Sequence, residues 1–202
     1  MFFVYRILTN LILILSPLII IIRLLKKKEH QKRFKEKLGF YTKKKIKGKL
    51  IWFHGASVGE ILSVIPLVEQ LEKNKDIKQI LITSNTLSSS KILSNLKLKK
   101  TIHQFFPIDT NYHTQKFLKY WKPTMAVFID SEIWPNMITN IKKLPISLIM
   151  MNARITDKSY KRWMIFGSHT KRIFQKFDIC FSSNLKSIKY LKSLGVKKIK
   201  YL

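Results

Sequence analysis

The sequence contains a single cysteine and few acidic residues. Cys180 alone excludes an internal disulfide, and one cysteine gives no spacing typical of a metal site. Cys180 lies within an apolar run that predicts a strand, so we expect a buried, unreactive thiol. Only 11 Asp and Glu residues accompany 39 Lys and Arg residues, which gives a formal net charge of +28. A positive field of this size favours nucleic acid, anionic lipid or phosphorylated substrates as partners.

Nucleic acid is the least favoured of these partners. The lysines are scattered along most segments, as solvated surface positions are, and no recognisable nucleic-acid-reading motif is present. With 202 residues and 46% hydrophobic content, the chain can bury a full core. We therefore predict one globular domain with appendages and no nucleic-acid partner.

An apolar segment opens the chain. Its only charges are Arg6 and Arg23, and about 20 apolar residues suffice to cross a bilayer core. We predict a transmembrane anchor at residues 1–25, weakened or kinked by Asn10 and Pro17. A cleaved signal peptide fits less well, because no small-residue cleavage pattern follows.

A basic juxtamembrane segment follows at residues 26–49, where lysine predominates and the only acidic residues are Glu29 and Glu36. Positive charge beside a membrane helix marks the cytoplasmic side. We therefore expect a single-pass inner-membrane protein with its N-terminus outside and its globular part in the cytoplasm. Each such charge near an anionic leaflet contributes about 1 kcal/mol, so this segment is expected to hold the domain against the anionic inner leaflet. A solvated linker without a specific role is the alternative.

After residue 49, short apolar runs alternate with stretches of helical periodicity. The predicted strands are residues 50–53, 79–83, 102–106, 125–129, 146–151, 178–181 and 198–201. The predicted helices are residues 59–71, 88–96, 112–121, 135–142 and 184–194, with another after Ser159. This alternation implies parallel βαβ units. The predicted fold class is α/β, with one doubly wound, mainly parallel Rossmann-like domain at residues 50–202.

Residues 50–60, with the sequence LIWFHGASVGE, read as a buried strand, a glycine-bounded turn and the start of a helix. The turn matches neither of the familiar phosphate-binding loops. It lacks the middle glycine of a GxGxxG loop, and it has Gly59-Glu60 where a P-loop would need Gly-Lys-Ser/Thr. Glu60 lies at the helix start, a position that favours anions. A lone Glu there is more often a helix cap than a catalytic base, so both roles remain open.

Polar residues and one glycine lie where the predicted strands end. They are Ser57, Gly59 and Glu60 after the first strand, Thr83 and Thr86 at the second, Asp109 after the third, Asp130 and Glu132 after the fourth, and Asn152 and Arg154 after the fifth. Taken singly, each can be explained as a cap, a turn residue or an ion-pair partner. In open parallel sheets, however, ligands bind beyond the carboxyl ends of the strands. Together these residues predict a binding or catalytic site on one rim.

The same residues fall in ordered motifs that resemble those of the 3-deoxy-D-manno-octulosonic acid (Kdo) transferase family. The motifs are Arg33-x-x-Glu36-Lys37-Leu38-Gly39, Ser57-Val58-Gly59-Glu60, Thr83-x-x-Thr86, Pro107-x-Asp109, Glu132-Ile133-Trp134-Pro135-Asn136 and Asn152-Ala153-Arg154 followed by Ser159. They extend over nearly the whole chain. Several motifs in the right order are far more specific than any one of them.

The resemblance implies a membrane-anchored cytoplasmic glycosyltransferase built from two Rossmann-like domains (GT-B). Such an enzyme would transfer Kdo from CMP-Kdo to a lipid A precursor in lipopolysaccharide biosynthesis, with inversion and without a metal or other cofactor. By position, Glu60 matches the family's catalytic base. The substrate-binding residues that the motifs imply are Ser57, Gly59, Thr83, Thr86, Asp130, Glu132, Asn152 and Arg154.

The chain also departs from the family pattern. Asp130 stands where the family usually has a glutamate, and Lys37 replaces an arginine, which gives up bidentate geometry. The larger departure is length, because the second Rossmann-like domain, expected to bind the donor, is not in this sequence. We expect a truncated or split enzyme with a separately encoded C-terminal half. The alternative is a non-catalytic membrane-bound remnant or scaffold.

Overall fold

The computed structural model describes residues 2–202, and one parallel sheet forms its centre. In the described chain this sheet has seven strands in the order β3-β2-β1-β4-β5-β6-β7. The strands are β1 (Lys49–His54), β2 (Ile77–Ser84), β3 (Thr101–Phe105), β4 (Met125–Ile129), β5 (Ser147–Ala153), β6 (Ile179–Ser182) and β7 (Ile199–Tyr201). All neighbouring strands pair in parallel. The predicted parallel sheet is confirmed.

Helices cover both faces of this sheet, as a doubly wound fold requires. On one face lie α2 (Val58–Lys73) and α3 (Leu87–Asn95); on the other lie α4 (Asn111–Trp121), α5 (Pro135–Ile141), α7 (Gly167–Phe174) and α8 (Leu185–Ser193). Strand β1 shows why both faces are apolar. Its Ile51 and Phe53 pack with the first group, while Leu50 and Trp52 pack with the second.

The helical region predicted after Ser159 consists of two helices. Only residues 165–166 separate α6 (Asp157–Met164) from α7, and residues 163–166 form the corner between the two helices. Gly167 has a φ of +48°, a backbone conformation that residues other than glycine rarely adopt. The corner therefore breaks what the sequence pattern presents as one helix.

The strand order places a crevice at the centre of the sheet. From β1 the chain proceeds outward through β2 and β3, then returns to place β4 on the other side of β1. Ligands in such sheets bind at this reversal, beyond the carboxyl ends of the two central strands. Here that position lies between the ends of β1 and β4.

Side-chain caps begin most of the helices that follow strands. In each case a hydroxyl or amide oxygen accepts a hydrogen bond from the backbone N–H three residues later, which satisfies one unpaired donor of the first turn. The N-caps of α2, α3, α4, α6 and α8 are Ser57, Thr86, Thr110, Thr156 and Asn184. Ser57 and Thr86 of the predicted rim therefore also have a local structural role.

Helix α1 (Phe2–Leu25) is long and apolar enough to cross a membrane, and Pro17 lies within it. Near its N-terminal end, Tyr5 Oη–H donates to Asp109 Oδ2 at 2.7 Å. Near its C-terminal end, Arg23 pairs with Glu29, which also pairs with Lys37. The N-terminal end of α1 therefore contacts the globular part, and its C-terminal end contacts the segment at residues 26–49. The predicted placement of the N-terminus on the far side of the membrane stays a prediction.

The segment at residues 26–49 is fixed to the sheet at its β3 edge. A 3₁₀ helix at Phe34–Leu38 carries the fully buried Glu36, whose carboxylate accepts hydrogen bonds from Arg33, Thr42 and the backbone N–H of Phe105. The solvated-linker alternative is therefore wrong for the middle of this segment.

Candidate active site

Glu60 lies in the first turn of α2, directly after β1. Its Oε2 accepts a hydrogen bond from the Ala56 N–H at 2.8 Å, and its Oε1 accepts one from the Ser57 hydroxyl at 2.7 Å. Ser57 Oγ in turn accepts from the Glu60 N–H at 3.3 Å. This reciprocal pairing is a variant of the capping box. Glu60 is thus a helix cap, and it is also a partly exposed carboxylate at the central crevice.

The two glycines beside Glu60 have different roles. A Cβ on Gly55 would lie 3.1 Å from both Glu60 Cβ and Ile61 Cδ1, so a side chain there would push against the turn. A Cβ on Gly59 would meet nothing within 4 Å. Gly55 therefore lies in a tightly packed turn, whereas Gly59 leaves open space in front of the helix start.

Asp130 is held in an uncommon backbone conformation at the end of β4. Its φ is +60°, and Asn152, at the end of the neighbouring β5, has a φ of +55°. Such conformations are uncommon outside glycine, although Asp and Asn tolerate them best. Their occurrence at the ends of two adjacent strands gives this rim a defined shape, and backbone strain of this kind clusters at functional sites.

The environment of Asp130 raises its pKa above the ordinary value. Burial is the main cause, and the negative charges of Glu60 and Glu132 add to it, while Arg154 opposes the shift. One carboxylate oxygen of Asp130 is buried without a hydrogen-bond partner among the described residues. Asp130 is therefore within electrostatic range of Glu60, Glu132 and Arg154, and we call these four residues the charged cluster.

Glu132 is oriented by two aromatic residues. Trp134 Nε1–H donates to Glu132 Oε2 at 2.8 Å, and His54 Nε2 lies 3.4 Å from the same oxygen, within ion-pair distance but without hydrogen-bond geometry. Burial alone would raise the pKa of Glu132, but the contacts with His54 and Trp134 outweigh burial and lower it. Glu132 is therefore an ionised acceptor fixed in position near the crevice.

His54 connects the crevice to the core. It is fully buried at the end of β1, stacks on Phe106 with 3.9 Å between ring centroids, and has Nδ1 at 3.0 Å from Thr83 Oγ1. Thr83 also accepts a hydrogen bond from Trp52 Nε1–H at 2.8 Å. Thr83, a predicted substrate-binding residue, thus has no exposed surface and lies beneath the rim.

The other predicted site residues lie at the surface. Thr86 caps α3 at the end of β2, which is one strand away from the central crevice. Asn152 is partly exposed and Arg154 is exposed at the end of β5. The structure therefore brings together the predicted residues that follow β1, β4 and β5, and it leaves Thr83 and Thr86 outside that group. Their assignment to substrate binding stays a prediction.

A second polar cluster joins α1 to the rim, and the sequence reasoning missed it. The buried Asp109 carboxylate accepts hydrogen bonds from Tyr5 and from the backbone N–H groups of Asn136 and Met137. Arg6 donates to the side chains of Asn111 and Asn136. Tyrosine and arginine within an apolar segment were the available signal, since ionisable residues there usually have a specific partner.

No group of three or more His, Cys, Asp or Glu residues within residues 2–202 is arranged to hold a metal ion. The charged cluster at the crevice combines three carboxylates with one arginine, which suits the transfer of a proton between a polar substrate and a carboxylate. The expectation of a reaction without a metal or cofactor stays a prediction.

The fold and the crevice define a Rossmann-like domain with a carboxylate site at the reversal of strand order. Residues 32–202 match the family described as 3-deoxy-D-manno-octulosonic-acid transferase (kdotransferase). The chain belongs to this family, and the resemblance drawn from its motifs is confirmed.

Individual relatives agree with this assignment. The chain is 38% identical over 164 residues to the probable mitochondrial 3-deoxy-D-manno-octulosonic acid transferase of Arabidopsis thaliana, covering 80% of this chain and 37% of that protein. It is 36% identical over 192 residues to the enzyme of Rickettsia bellii, covering 95% and 46%. The chain thus spans less than half the length of these relatives. A crystal structure of UDP-N-acetylglucosamine 2-epimerase shares the fold, with a TM-score of 0.54 at 13% identity, over 76% of this chain and 47% of that one.

Proposed function

We propose that this chain forms the acceptor side of an inverting, metal-independent transferase that moves Kdo from CMP-Kdo to a lipid A precursor. The observation that carries this proposal is the position of Glu60, a partly exposed carboxylate at the strand-order reversal with Asp130, Glu132 and Arg154 around it. Family membership supports the reaction class.

Glu60 acts as the general base in this proposal. Its carboxylate takes the proton of the acceptor hydroxyl while that oxygen attacks the anomeric carbon of Kdo. The new glycosidic bond forms as the bond from that carbon to the CMP phosphate breaks, and CMP leaves with the bonding electrons as an anion. The Ser57 hydroxyl can rotate away from Oε1 to expose it, while the Ala56 N–H keeps the carboxylate in place through Oε2.

The remaining rim residues position the substrates. Glu132, fixed by Trp134, accepts a hydrogen bond from an acceptor hydroxyl, and Arg154 binds a phosphate or sugar carboxylate. Asp130 has a buried oxygen without a partner among the described residues and a raised pKa, so it is the second candidate for the proton acceptor. The open space in front of Gly59 admits the acceptor to the helix start.

The proposed location is the cytoplasmic face of the inner membrane. Helix α1 supplies an apolar membrane contact, and the lysines of residues 26–49 suit an anionic leaflet. This location would bring the crevice to a lipid acceptor.

A donor-binding half completes the enzyme. The chain spans less than half the length of its relatives, so we propose that CMP-Kdo is held mainly by a second Rossmann-like half. The competing function is a non-catalytic membrane-bound scaffold with the same fold.

Rescue of cells depleted of their own Kdo transferase tests the function. Residues 1–202 co-expressed with the C-terminal half of a related enzyme should restore Kdo-modified lipid A, detected by mass spectrometry. The same pair carrying Glu60→Gln is the matched control and should restore far less. Stable, membrane-associated halves that give no Kdo-modified lipid would support the scaffold instead.

A further inference from the structure

Helix α1 directs its polar stripe toward the protein. Thr9, Ser16 and Ile20 are less than 10% exposed. The polar side chains of Tyr5, Arg6, Thr9 and Arg23 lie on this stripe, and they have partners in the rest of the chain. Apart from the adjacent pair Tyr5 and Arg6, its members are three, four or seven residues apart, which places them on one helix face.

The opposite face of α1 is apolar and exposed along its whole length. Phe3, Ile14 and Leu25 are each more than 70% exposed. The other exposed apolar residues are Val4, Ile7, Leu8, Leu11, Ile12, Leu15, Leu18, Ile19, Ile21 and Ile22. A patch of this length exceeds the scattered apolar residues of an ordinary soluble surface and marks an interaction site.

The contacts at both ends of α1 lead to the turn that follows β3. Tyr5 bonds to Asp109, as described above, and Arg23 is linked through Glu29 to Lys37. The Lys37 carbonyl accepts a hydrogen bond from the Ile108 N–H at 2.9 Å. The two ends thus lead to the adjacent residues Ile108 and Asp109. Tyr5 and Arg23 are separated by about 27 Å of helix. Thr9, Ser16 and Ile20 lie between them and are buried, so α1 packs alongside the rest of the chain over this length.

The corner between α6 and α7 extends the apolar face. Met164, Ile165 and Phe166 are exposed, with Ile165 at 76%. A groove of about 690 Å³ separates this corner from α1, and its apolar lining includes Val4 and Leu8 of α1 and Trp163, Phe166 and Ile173 of the corner and α7.

Positive charge surrounds the corner. Exposed cations occupy both helices that meet there, at Lys161, Arg162, Lys171 and Arg172. The sequence from residue 158 to residue 177 contains no acidic residue. An apolar corner with cations around it can place its apolar side chains among lipid acyl chains and its cations among anionic headgroups.

We propose that α1 lies in the plane of one leaflet and that the α6–α7 corner (residues 163–166) is a second membrane contact beside it. The partner is a bilayer surface that contains anionic lipid. The outward face of α1 and the corner enter the acyl-chain region, while the polar stripe of α1 stays on the protein. This inference rests on one part of the proposed function, namely that α1 contacts the membrane. Its tests do not require transfer activity.

Cysteine accessibility distinguishes an in-plane helix from a spanning one. The native Cys180 is fully buried and is replaced in a Cys180→Ala background. Lys97, an exposed residue of the globular part between α3 and β3, supplies the control position. Phe3→Cys and Lys97→Cys are then treated with a membrane-impermeant maleimide in intact spheroplasts, in opened membranes and in detergent. We expect Lys97→Cys to react once membranes are opened and Phe3→Cys to react only in detergent. Reaction of Phe3→Cys in intact spheroplasts, with Lys97→Cys protected, would establish a spanning helix and overturn the proposal.

A fluorescent probe tests the corner in the full chain. An environment-sensitive nitrobenzoxadiazole label is placed on Ile165→Cys. The matched control carries the same label on Leu144→Cys, which is also an exposed apolar position but lies just before β5. Phosphatidylcholine vesicles with phosphatidylglycerol should shift the emission of the label at position 165 to the blue and leave that at position 144 unchanged. No shift at position 165, or equal shifts at both, would remove the corner from the membrane contact.

Discussion

At the scale of single residues, Glu60 is a helix cap by its contacts and the proposed base by its position. It accepts hydrogen bonds that cap α2, and it lies at the crevice with other charged groups around it. Glu60→Gln keeps the size and much of the hydrogen bonding but removes proton acceptance. In the two-half enzyme, turnover should fall by about 10²- to 10⁴-fold, with acceptor binding little changed. Rates and melting temperature are measured on one preparation.

Ser57→Ala is the control for the capping role. It removes the cap hydroxyl while the Glu60 carboxylate remains, so it should cost about 1 kcal/mol in the free energy of unfolding. Its effect on turnover per folded molecule should be much smaller than that of Glu60→Gln. A stable Glu60→Gln protein with normal turnover would exclude Glu60 as the base and leave Asp130 as the candidate to test.

Asp109 predicts a pH dependence of stability. Burial raises the pKa of its carboxyl to about 7, and the hydrogen bonds from Tyr5, Asn136 and Met137 only partly oppose this shift. The folded state therefore binds a proton more tightly than the unfolded chain. Stability contributed by this group is present at low pH and is lost as the pH rises through about 7, with a slope of at most about 1.4 kcal/mol per pH unit.

Urea unfolding of the full chain across this pH range measures the effect. Asp109→Asn removes the titrating group, so the variant should show a flatter dependence of unfolding free energy on pH than the native chain. An unchanged slope in Asp109→Asn would assign the pH dependence to other groups.

At the scale of elements, the 3₁₀ helix at Phe34–Leu38 shows how the basic segment is fixed. Glu36 is fully buried, and its carboxylate accepts hydrogen bonds from Arg33 Nε at 2.8 Å, from Arg33 Nη2 at 3.0 Å and from the Phe105 N–H at 2.8 Å. Glu36→Ala leaves a partly buried guanidinium and a buried N–H without this acceptor. We expect a loss of about 3–5 kcal/mol in the free energy of unfolding.

Lys35→Ala is the matched control for this change, because Lys35 is an exposed neighbour in the same 3₁₀ helix. Its effect should stay within about 0.5 kcal/mol. Urea unfolding followed by tryptophan fluorescence compares the two. Equal stability of both variants would show that the Arg33–Glu36 contact does not hold the segment to the sheet.

The elements of the globular part could be predicted because each has a strong local pattern. Buried parallel strands appear as short apolar runs, and helices between them show helical spacing and begin at Ser, Thr or Asn caps. The contacts of α1 could not be predicted in this way. They depend on Tyr5 and Arg6 meeting residues more than 100 positions away in sequence.

The candidate site could also be predicted in part from the sequence. Residues after β1, β4 and β5 meet because the carboxyl ends of neighbouring parallel strands share an edge. Thr83 belongs to the same motif series but ends up beneath the rim, because its hydroxyl bonds to the core side chains of Trp52 and His54. A motif gives the position of a residue in the chain, but its exposure depends on tertiary packing.

At the scale of the whole molecule, the chain is one Rossmann-like unit with an N-terminal helix that is long and apolar enough to cross a membrane, and it spans less than half the length of its relatives. The central claim is that this unit supplies the acceptor side and the base, while donor binding needs the other half.

Transfer of labelled Kdo from CMP-Kdo to a lipid A precursor tests this claim most directly. Three samples are compared: residues 1–202 alone, the C-terminal half of a related Kdo transferase alone, and the two together in lipid vesicles. We predict transfer only when both halves are present. Transfer by residues 1–202 alone, or none from a complex in which both halves are folded and bound, would contradict the account.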